Sequence, residues 1–180
     1  PAIAILIFAW SLKGMGDALE ISTFVKNIVG SNTSASVILP AILFVVAVFL
    51  SFSTGTSWGT FAILVPIAIA MFPGSENLQM MIISVSAVLA GAVCGDHVSP
   101  ISDTTVMSSA GAQSNHINHV TTQMQYAAVV AVISFIGYII AGFVHIWWAV
   151  LGISLILLLL TLTVIKKITS SKEEETKAGA

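Results

Sequence analysis

The stretch of sequence best suited to chemistry is CGDHVSPISDTTVMSSAG, which runs from Cys94 to Gly111. It combines two aspartates, one histidine and several Ser and Thr hydroxyls around one proline, and long uncharged segments lie on both sides of it. Carboxylate and hydroxyl oxygens are hard ligands, which suit Na⁺, a proton-carrying carboxylate or a divalent cation better than a soft metal. A cluster of this kind in an apolar chain predicts an ion site.

Pro100 predicts an interrupted helix at the centre of this stretch. Proline has no N–H, so the carbonyl of Asp96 would lose its helical partner and become free. The C-terminal end of the preceding helix would direct its partial negative charge to the same point, which favours a cation. Ser102 or Asp103 is a suitable N-cap for a second helix that starts near Thr104. We therefore expect a broken helix with a carboxylate on each side of the interruption.

The energetics of a carboxylate in the membrane favour an exchange function. An Asp at the bilayer centre costs roughly 2.5–3.5 kcal/mol on insertion scales, so two of them are hard to explain by packing. Desolvation raises the pKa of a carboxylate, and a bound cation lowers it. A carboxylate on which desolvation and cation binding nearly cancel can exchange H⁺ for Na⁺ near neutral pH. The predicted oxygen ligands are Asp96, Ser99, Ser102, Asp103, Thr104 and Thr105, with Asp96 and Asp103 as the Na⁺ ligands.

Simpler interpretations of the same residues stay open. Asp103 can be only a helix N-cap, and Asp96 can be a structural residue. His97 is equally consistent with a satisfied interior histidine and with a proton-handling group. His116 and His119 lie in a polar connector, SNHINHVTTQM, and are predicted to be solvated. A metal-hydrolase cluster is a further alternative, but the chain has no HExxH motif and no second His or Cys at ligand spacing.

The composition places these residues in a membrane protein. Of the 180 residues, 57% are hydrophobic and only 8% are charged, with a mean hydropathy of +1.01, whereas a soluble domain carries about 25% charged residues. No Asp, Glu, Lys or Arg occurs between Asn27 and Ser75 or between Thr104 and Ile165. Each of these segments can hold about two crossings of roughly 20 residues. The chain has no arginine, so we expect no nucleic-acid partner.

The apolar segments predict the number of crossings. Residues 61–72 are too short to cross alone, and residues 1–12 are predicted to be the end of a span in a fragment that lacks its N-terminal part. We expect a transmembrane domain over residues 1–165 and a disordered cytoplasmic tail over residues 166–180, because two lysines after the last span favour the inside. The predicted spans are residues 35–52, 78–95, 125–144 and 146–165.

A second apolar segment, FSTGTSWGT at residues 52–60, is interrupted by small and hydroxyl-bearing residues. Irregular backbone at membrane depth persists only inside protein or beside a water-filled cavity. Such interruptions form the ion and substrate sites of secondary transporters. Small-residue helix packing is the alternative explanation here, and it also applies to the GxxxG pattern of Gly91 and Gly95.

Two blocks of the sequence resemble a known family. GDHVSPISDTTVMSSAGAQSNHINHVTTQMQYA is similar to the signature of NhaC-type Na⁺/H⁺ antiporters in the ion-transporter superfamily, and LSFSTGTSWGTFAILVPIAIAMF resembles that family's other recurring block. Together they extend from Leu50 to Ala127. Gln125 stands where the family pattern TQxPY has proline.

The resemblance implies a permease of about twice this length, built from two inverted repeats, with this chain mostly the C-terminal one. Each repeat would contribute a re-entrant hairpin and a broken helix to a central site. By the resemblance, the ion or substrate ligands are Thr54, Thr56, Ser57 and Thr60 at the hairpin tip and Asp96, His97, Ser99, Ser102, Asp103, Thr104 and Thr105 in the broken helix, with Gly55, Gly59, Gly95 and Pro100 as structural hinges.

The sequence therefore predicts an all-α, multi-pass inner-membrane transporter that exchanges Na⁺ for H⁺ and is not an enzyme. We expect membrane lipid and a missing N-terminal repeat as partners, with a homodimer as a further option, and no cofactor. The main alternative is a Na⁺- or H⁺-coupled carrier of an organic anion or amino acid, of the malate or lactate type, whose carboxylate would bind at helix N-termini near residues 60 and 103. An intramembrane hydrolase and a non-catalytic membrane subunit are alternatives from other classes.

Overall fold

The computed structural model of this chain describes residues 33–72 and 77–178, together with four isolated positions near the N-terminus, and gives side chains from residue 36 to residue 170. Apart from Ser11, the predicted span end at residues 1–12 lies outside the described residues. The described part is all helical and contains no strand, which confirms the predicted fold class. Its helices are α1 (Thr33–Thr54), α2 (Ser57–Met71), α3 (Leu78–Val98), α4 (Asp103–Gly111), α5 (His116–Phe143) and α6 (Trp147–Ala178).

Four of these helices are long and apolar enough to cross a membrane. They contain the segments Ser36–Thr54, Leu78–Val98, His116–Phe143 and Trp147–Ser170. Helix α2 has only 15 residues and is too short for that role. The predictions of four spans and one short apolar helix are confirmed, because long apolar runs set helix length largely without help from tertiary contacts.

Helix α5 begins earlier than the apolar pattern predicts. The side chain of Asn115 accepts a hydrogen bond from the N–H of Asn118 at 3.1 Å and caps the helix. The hydroxyls of Thr121 and Thr122 bond to carbonyls four residues earlier, so they do not interrupt the helix. The polar segment predicted to be a connector therefore forms the first turns of α5, and the link from α4 is short.

Helix α6 continues through Ala178 and past the predicted domain boundary at residue 165. The residues beyond the boundary include Lys, Glu and Ala, which are strong helix formers. The division into a transmembrane domain and a cytoplasmic tail stays a prediction.

The core forms where α1 packs along α3, the most extensive helix contact in the described part of the chain. A Cβ atom added at Gly91 would collide with the Phe44 carbonyl, and one added at Gly95 would collide with the Val48 carbonyl. The GxxxG pattern thus permits the close helix approach that the sequence predicted. The buried cluster beside this contact comprises Leu43, Ala47, Leu64, Ala68, Val88 and Ala92.

Candidate ion site at the break between α3 and α4

Helix α3 ends at Val98 and α4 begins at Asp103, so Pro100 lies in a four-residue interruption. Ser99 is extended, with φ −73° and ψ 127°, and directs the chain away from the α3 axis. Ser102 occupies the N-cap position of α4. The predicted broken helix is therefore present, with the boundaries that proline and the capping residue indicated.

The predicted free carbonyl is not found. The N–H of Ser99 donates to the Asp96 carbonyl at 3.2 Å, because the last turn of α3 tightens to a bond between residues three apart. The hydroxyl of Thr105, which is buried, also approaches the carbonyls of His97 at 3.2 Å and Asp96 at 3.5 Å. These two carbonyls already have donors from the protein, so the prediction of a free main-chain ligand at Asp96 is wrong.

The carboxylate of Asp96 is the most unusual polar group in the break. Its side chain is only 6% exposed. Oδ2 accepts a hydrogen bond from the Ser57 hydroxyl at 3.0 Å, whereas Oδ1 is buried and has no hydrogen-bond partner among the described residues. Burying a charged oxygen without a partner is costly. A cation or a proton at Oδ1 would remove that cost.

The tip of the hairpin between α1 and α2 packs directly on the break. Gly55 has φ +67°, a conformation that favours glycine. A Cβ atom there would also lie 2.8 Å from the carbonyl oxygen of Ile101. Glycine at this position therefore allows both the left-handed turn and the close contact with the break. The Ser99 hydroxyl adds a second link, because it donates to the Phe52 carbonyl at 2.7 Å.

The start of α2 places Ser57 beside Asp96. Thr56 is the N-cap residue, and its side chain accepts from the N–H of Gly59 at 3.4 Å. Its carbonyl accepts the hydroxyl of Thr60 at 3.0 Å. Ser57 is the first residue of the helix, so the partial positive charge of the helix N-terminus lies near the Asp96 carboxylate.

The other predicted hairpin ligands do not reach the carboxylate in this structure. Thr54 is exposed, and its hydroxyl donates to the Leu50 carbonyl of its own helix at 2.9 Å. Thr60 is buried and also bonded within its own helix. Of the predicted hairpin residues, Ser57 is the one whose side chain is hydrogen-bonded to Asp96.

Asp103 lies on the exposed side of the break. Its Oδ1 accepts from the N–H of Thr104 at 2.8 Å, and the residue faces outward at the start of α4. Ser102 is buried, and its hydroxyl pairs with that of Thr104 at 2.8 Å instead of capping the helix. Within the described residues, no three His, Cys, Asp or Glu side chains gather where they could hold a metal ion. Asp96, His97 and Asp103 therefore do not form the hydrolase-type cluster considered above.

Three histidines near the break differ in their surroundings. His97 is exposed and lines a cavity of about 1120 Å³, together with Gln123 and Tyr126 of α5. The interpretation of His97 as a satisfied interior histidine therefore does not apply to this structure. His116 and His119 are both partly buried rather than solvated, and both ring nitrogens of His116 have partners. The Asn cap before His116 was the sequence signal that could have placed it in the first turn of a helix.

A family model described as the Na⁺/H⁺ antiporter family matches residues 1–143. The chain belongs to the Na⁺/H⁺ antiporter family. It is 46% identical over 166 residues to an uncharacterized protein of Haemophilus influenzae, a match that covers 92% of this chain and 32% of that protein. It is also 34% identical over 111 residues to the malate-2H⁺/Na⁺-lactate antiporter of Bacillus subtilis, covering 61% of this chain and 23% of that protein. No solved structure matches the chain.

Family membership confirms the resemblance to NhaC-type antiporters and places the chain among transporters rather than enzymes. Together with four helices of spanning length, it identifies a multi-pass membrane protein. The chain spans about a third or less of the length of these curated relatives.

Proposed function

We propose that this chain forms part of a secondary antiporter that exchanges Na⁺ for H⁺ across the inner, cytoplasmic membrane. The observation that carries the proposal is the buried carboxylate of Asp96, which has one oxygen bonded to Ser57 and the other without a partner among the described residues. A buried carboxylate needs a compensating positive charge or a proton. Na⁺ and H⁺ would therefore compete for the same oxygen, and this competition couples their movements.

The surrounding groups favour such competition. The hydroxyl of Ser57 and the N-terminal end of α2 lie at the Asp96 carboxylate and supply a hydrogen bond and a partial positive charge there. The negative end of α3 lies two residues beyond Asp96 and favours a cation. Asp103, exposed at the start of α4, is proposed as an outer ligand that receives the cation before Asp96 does. The remaining proposed oxygen ligands are Thr54, Thr56, Thr60, Ser99, Ser102, Thr104 and Thr105.

The proposal also covers the rest of the transporter and the orientation of this chain in the membrane. A second, inverted repeat outside this chain would supply further ligands and the opposite wall of the site. Helix α2, which is too short to cross, would be the re-entrant arm that follows the α1 span. Lys166 and Lys167 would place the C-terminus in the cytoplasm.

Organic-anion exchange is the second candidate function. It is favoured by the similarity to the malate-2H⁺/Na⁺-lactate antiporter and by the cavity of about 1120 Å³ beside His97. This volume is slightly above the roughly 300–1,000 Å³ of typical ligand pockets, and His97, Gln123 and Tyr126 are among the polar side chains of a mainly apolar wall. The sequence placed the carboxylate of such a substrate at a helix N-terminus near residue 60. Because α2 begins at Ser57, the corresponding helix N-terminus lies three residues earlier.

Proton efflux from everted membrane vesicles tests the proposal. The protein is expressed from its complete coding sequence, with Asp96→Asn and Asp103→Asn as a matched pair. We expect NaCl alone to drive proton efflux in the wild type. Asp96→Asn should reduce the rate by about 100-fold or more, because a charged group in a buried site is lost. Asp103→Asn should reduce it by about tenfold at most, because an exposed charge is screened by solvent.

The outcomes separate the candidates. If NaCl has no effect until lactate or malate is added, organic-anion exchange replaces simple cation exchange. If Asp96→Asn remains fully active at an equal protein level, the carboxylate is structural and the proposed ion site is wrong. Vesicles without the protein are the control for background proton leak.

A further inference from the structure

His116 lies across the break although it belongs to a different helix. It is the first residue of α5, and its Nε2 lies 2.7 Å from the carbonyl oxygen of Pro100. Its Nδ1 lies 3.0 Å from the hydroxyl of Ser109 near the end of α4. One imidazole ring thus connects the interruption before α4 to the end of the same helix. The short link between α4 and α5 makes this possible.

The partners of the ring determine where its protons lie. The Pro100 carbonyl can only accept, so Nε2 must carry a hydrogen. The Ser109 hydroxyl also lies 2.9 Å from the Val106 carbonyl. A neutral ring would accept the hydroxyl proton at Nδ1, and a charged ring would donate to the hydroxyl, which could then donate to Val106. The bond to Pro100 is present in both cases, so the link does not depend on the charge of His116.

The Pro100 carbonyl lies next to the main contact between the break and the hairpin. Ile101, the following residue, presents its carbonyl to Gly55 at the hairpin tip. Two residues beyond Gly55, Ser57 begins α2 and donates to the Asp96 carboxylate. A displacement of the interruption would therefore move the hairpin tip and change the distance between Ser57 and Asp96.

We propose that His116 is a positioning residue for the ion site, which acts by holding the Pro100 carbonyl and thereby the packing of the break against the hairpin tip. The inference rests on the proposed function, because it assigns His116 a role in the affinity of that site. Without the bond, the Pro100 carbonyl would lose its ring partner at a break where main-chain groups depend on partners from the protein. His116 itself does not contact the ion.

His119 provides a matched control. It lies one turn further along α5, and its Nε2 is 3.3 Å from the hydroxyl of Ser108 on α4. It therefore makes a similar histidine-to-serine contact between the same two helices, but it does not contact the interruption itself. A general requirement for contacts between α4 and α5 would affect both histidines equally.

Two substitutions of His116 distinguish the contact of Nε2 with Pro100 from the contact of Nδ1 with Ser109. The amide nitrogen of Gln corresponds to Nε2, so His116→Gln can still donate to Pro100. The amide of Asn corresponds to Nδ1, so His116→Asn keeps a group near Ser109 but does not reach Pro100. We expect His116→Asn to raise the half-saturating Na⁺ concentration by about tenfold with little change in maximal rate, the effect of one lost hydrogen bond. His116→Gln and His119→Asn should stay within about twofold of the wild type.

Equal affinities for His116→Asn and the wild type would overturn the inference. It would also be overturned if His116→Gln were impaired as much as His116→Asn, or if His119→Asn and His116→Asn had the same effect. These comparisons use vesicles with equal protein levels, so that a failure to insert is not mistaken for a loss of affinity. A second measurement tests the positioning role in the inserted protein.

Spin-label distances provide that measurement without requiring transport. Nitroxide labels at Phe49 of α1 and Met107 of α4, both exposed, report the position of α4 relative to α1 after Cys94 and any other native cysteine of the complete protein are replaced by Ser. We expect a broader distance distribution in His116→Asn and an unchanged one in His116→Gln. An unchanged distribution in His116→Asn would contradict the positioning role. If NaCl moves no protons in the wild type, the proposed function fails, and the distance measurement still decides the role of His116.

Discussion

The break between α3 and α4 has one buried end and one exposed end, and each end carries an aspartate. Asp96 is 6% exposed and depends on Ser57 for its hydrogen bond, whereas Asp103 faces outward and bonds to the N–H of its own neighbour, Thr104. The residue type is the same at both ends. The packing around each end therefore decides which carboxylate is removed from water.

The difference originates in the helices that cover each end. Helix α3 lies against α1 along its length and also contacts α2 and α5, whereas α4 has only nine residues and contacts only α3 and α5 in the described part of the chain. A charge beside three packed helices is removed from water, but a charge on a short outer helix stays hydrated. We therefore expect equal substitutions at the two ends to have unequal effects.

The largest difference between the two ends is expected in thermal stability when a glycine at each end is replaced by alanine. Gly95→Ala would drive a Cβ atom into the Val48 carbonyl, whereas Gly111→Ala at the end of α4 meets no atom within 4 Å. Overpacking of this kind costs about 1–3 kcal/mol, so Gly95→Ala should lower the thermal unfolding midpoint of the purified protein and Gly111→Ala should not. Equal midpoints for the two variants would show that close packing of α1 on α3 does not distinguish the two ends.

An effect of similar size, on Na⁺ affinity rather than on stability, is expected at the hydroxyl that faces Asp96. Ser57→Ala removes the donor to Oδ2, and a hydrogen bond to a charged group contributes about 1.5–3 kcal/mol. The half-saturating Na⁺ concentration should rise by about tenfold or more, which corresponds to 1.4 kcal/mol per factor of ten. Ser57→Thr keeps the hydroxyl and is the control. An unchanged Na⁺ dependence in Ser57→Ala would remove Ser57 from the site.

The smallest effects are expected for the two fully buried serines of the break. Ser99 donates to the Phe52 carbonyl of α1 at 2.7 Å, whereas Ser102 pairs with the exposed Thr104 at 2.8 Å. Ser99→Ala should destabilise the protein by about 1 kcal/mol, and Ser102→Ala by less than about 0.5 kcal/mol, because Thr104 can bond to solvent instead. Chemical denaturation in mixed micelles measures both. A larger cost for Ser102→Ala would reverse the proposed difference between the ends.

Much of this architecture could be predicted from local sequence. The four spans, the short α2, the break at Pro100 and the N-cap at Ser102 all follow from apolar run length and from the missing N–H of proline. The sequence analysis overestimated the length of the connector before α5, because the first turns of that helix are polar and a hydropathy pattern does not distinguish them from a loop. The Asn115 cap was the available signal.

The site itself was only partly predictable. The sequence indicated Asp96, but the free carbonyl predicted at the same residue is occupied by the N–H of Ser99. The contact between His116 and the break could not be predicted, because its partner Pro100 is 16 residues away and is brought close by the turn between α4 and α5.

The sequence by itself determined that this chain is an all-helical membrane protein with a proline-broken helix and two carboxylates at the break. Those properties depend on composition and on residues close together in the chain. Only the tertiary structure decided that Asp96 is buried and bonded to Ser57 while Asp103 is exposed. The physical reason is that burial and hydrogen bonding to a distant residue depend on how α1, α2 and α3 pack, and the close approach at Gly91 and Gly95 sets that packing.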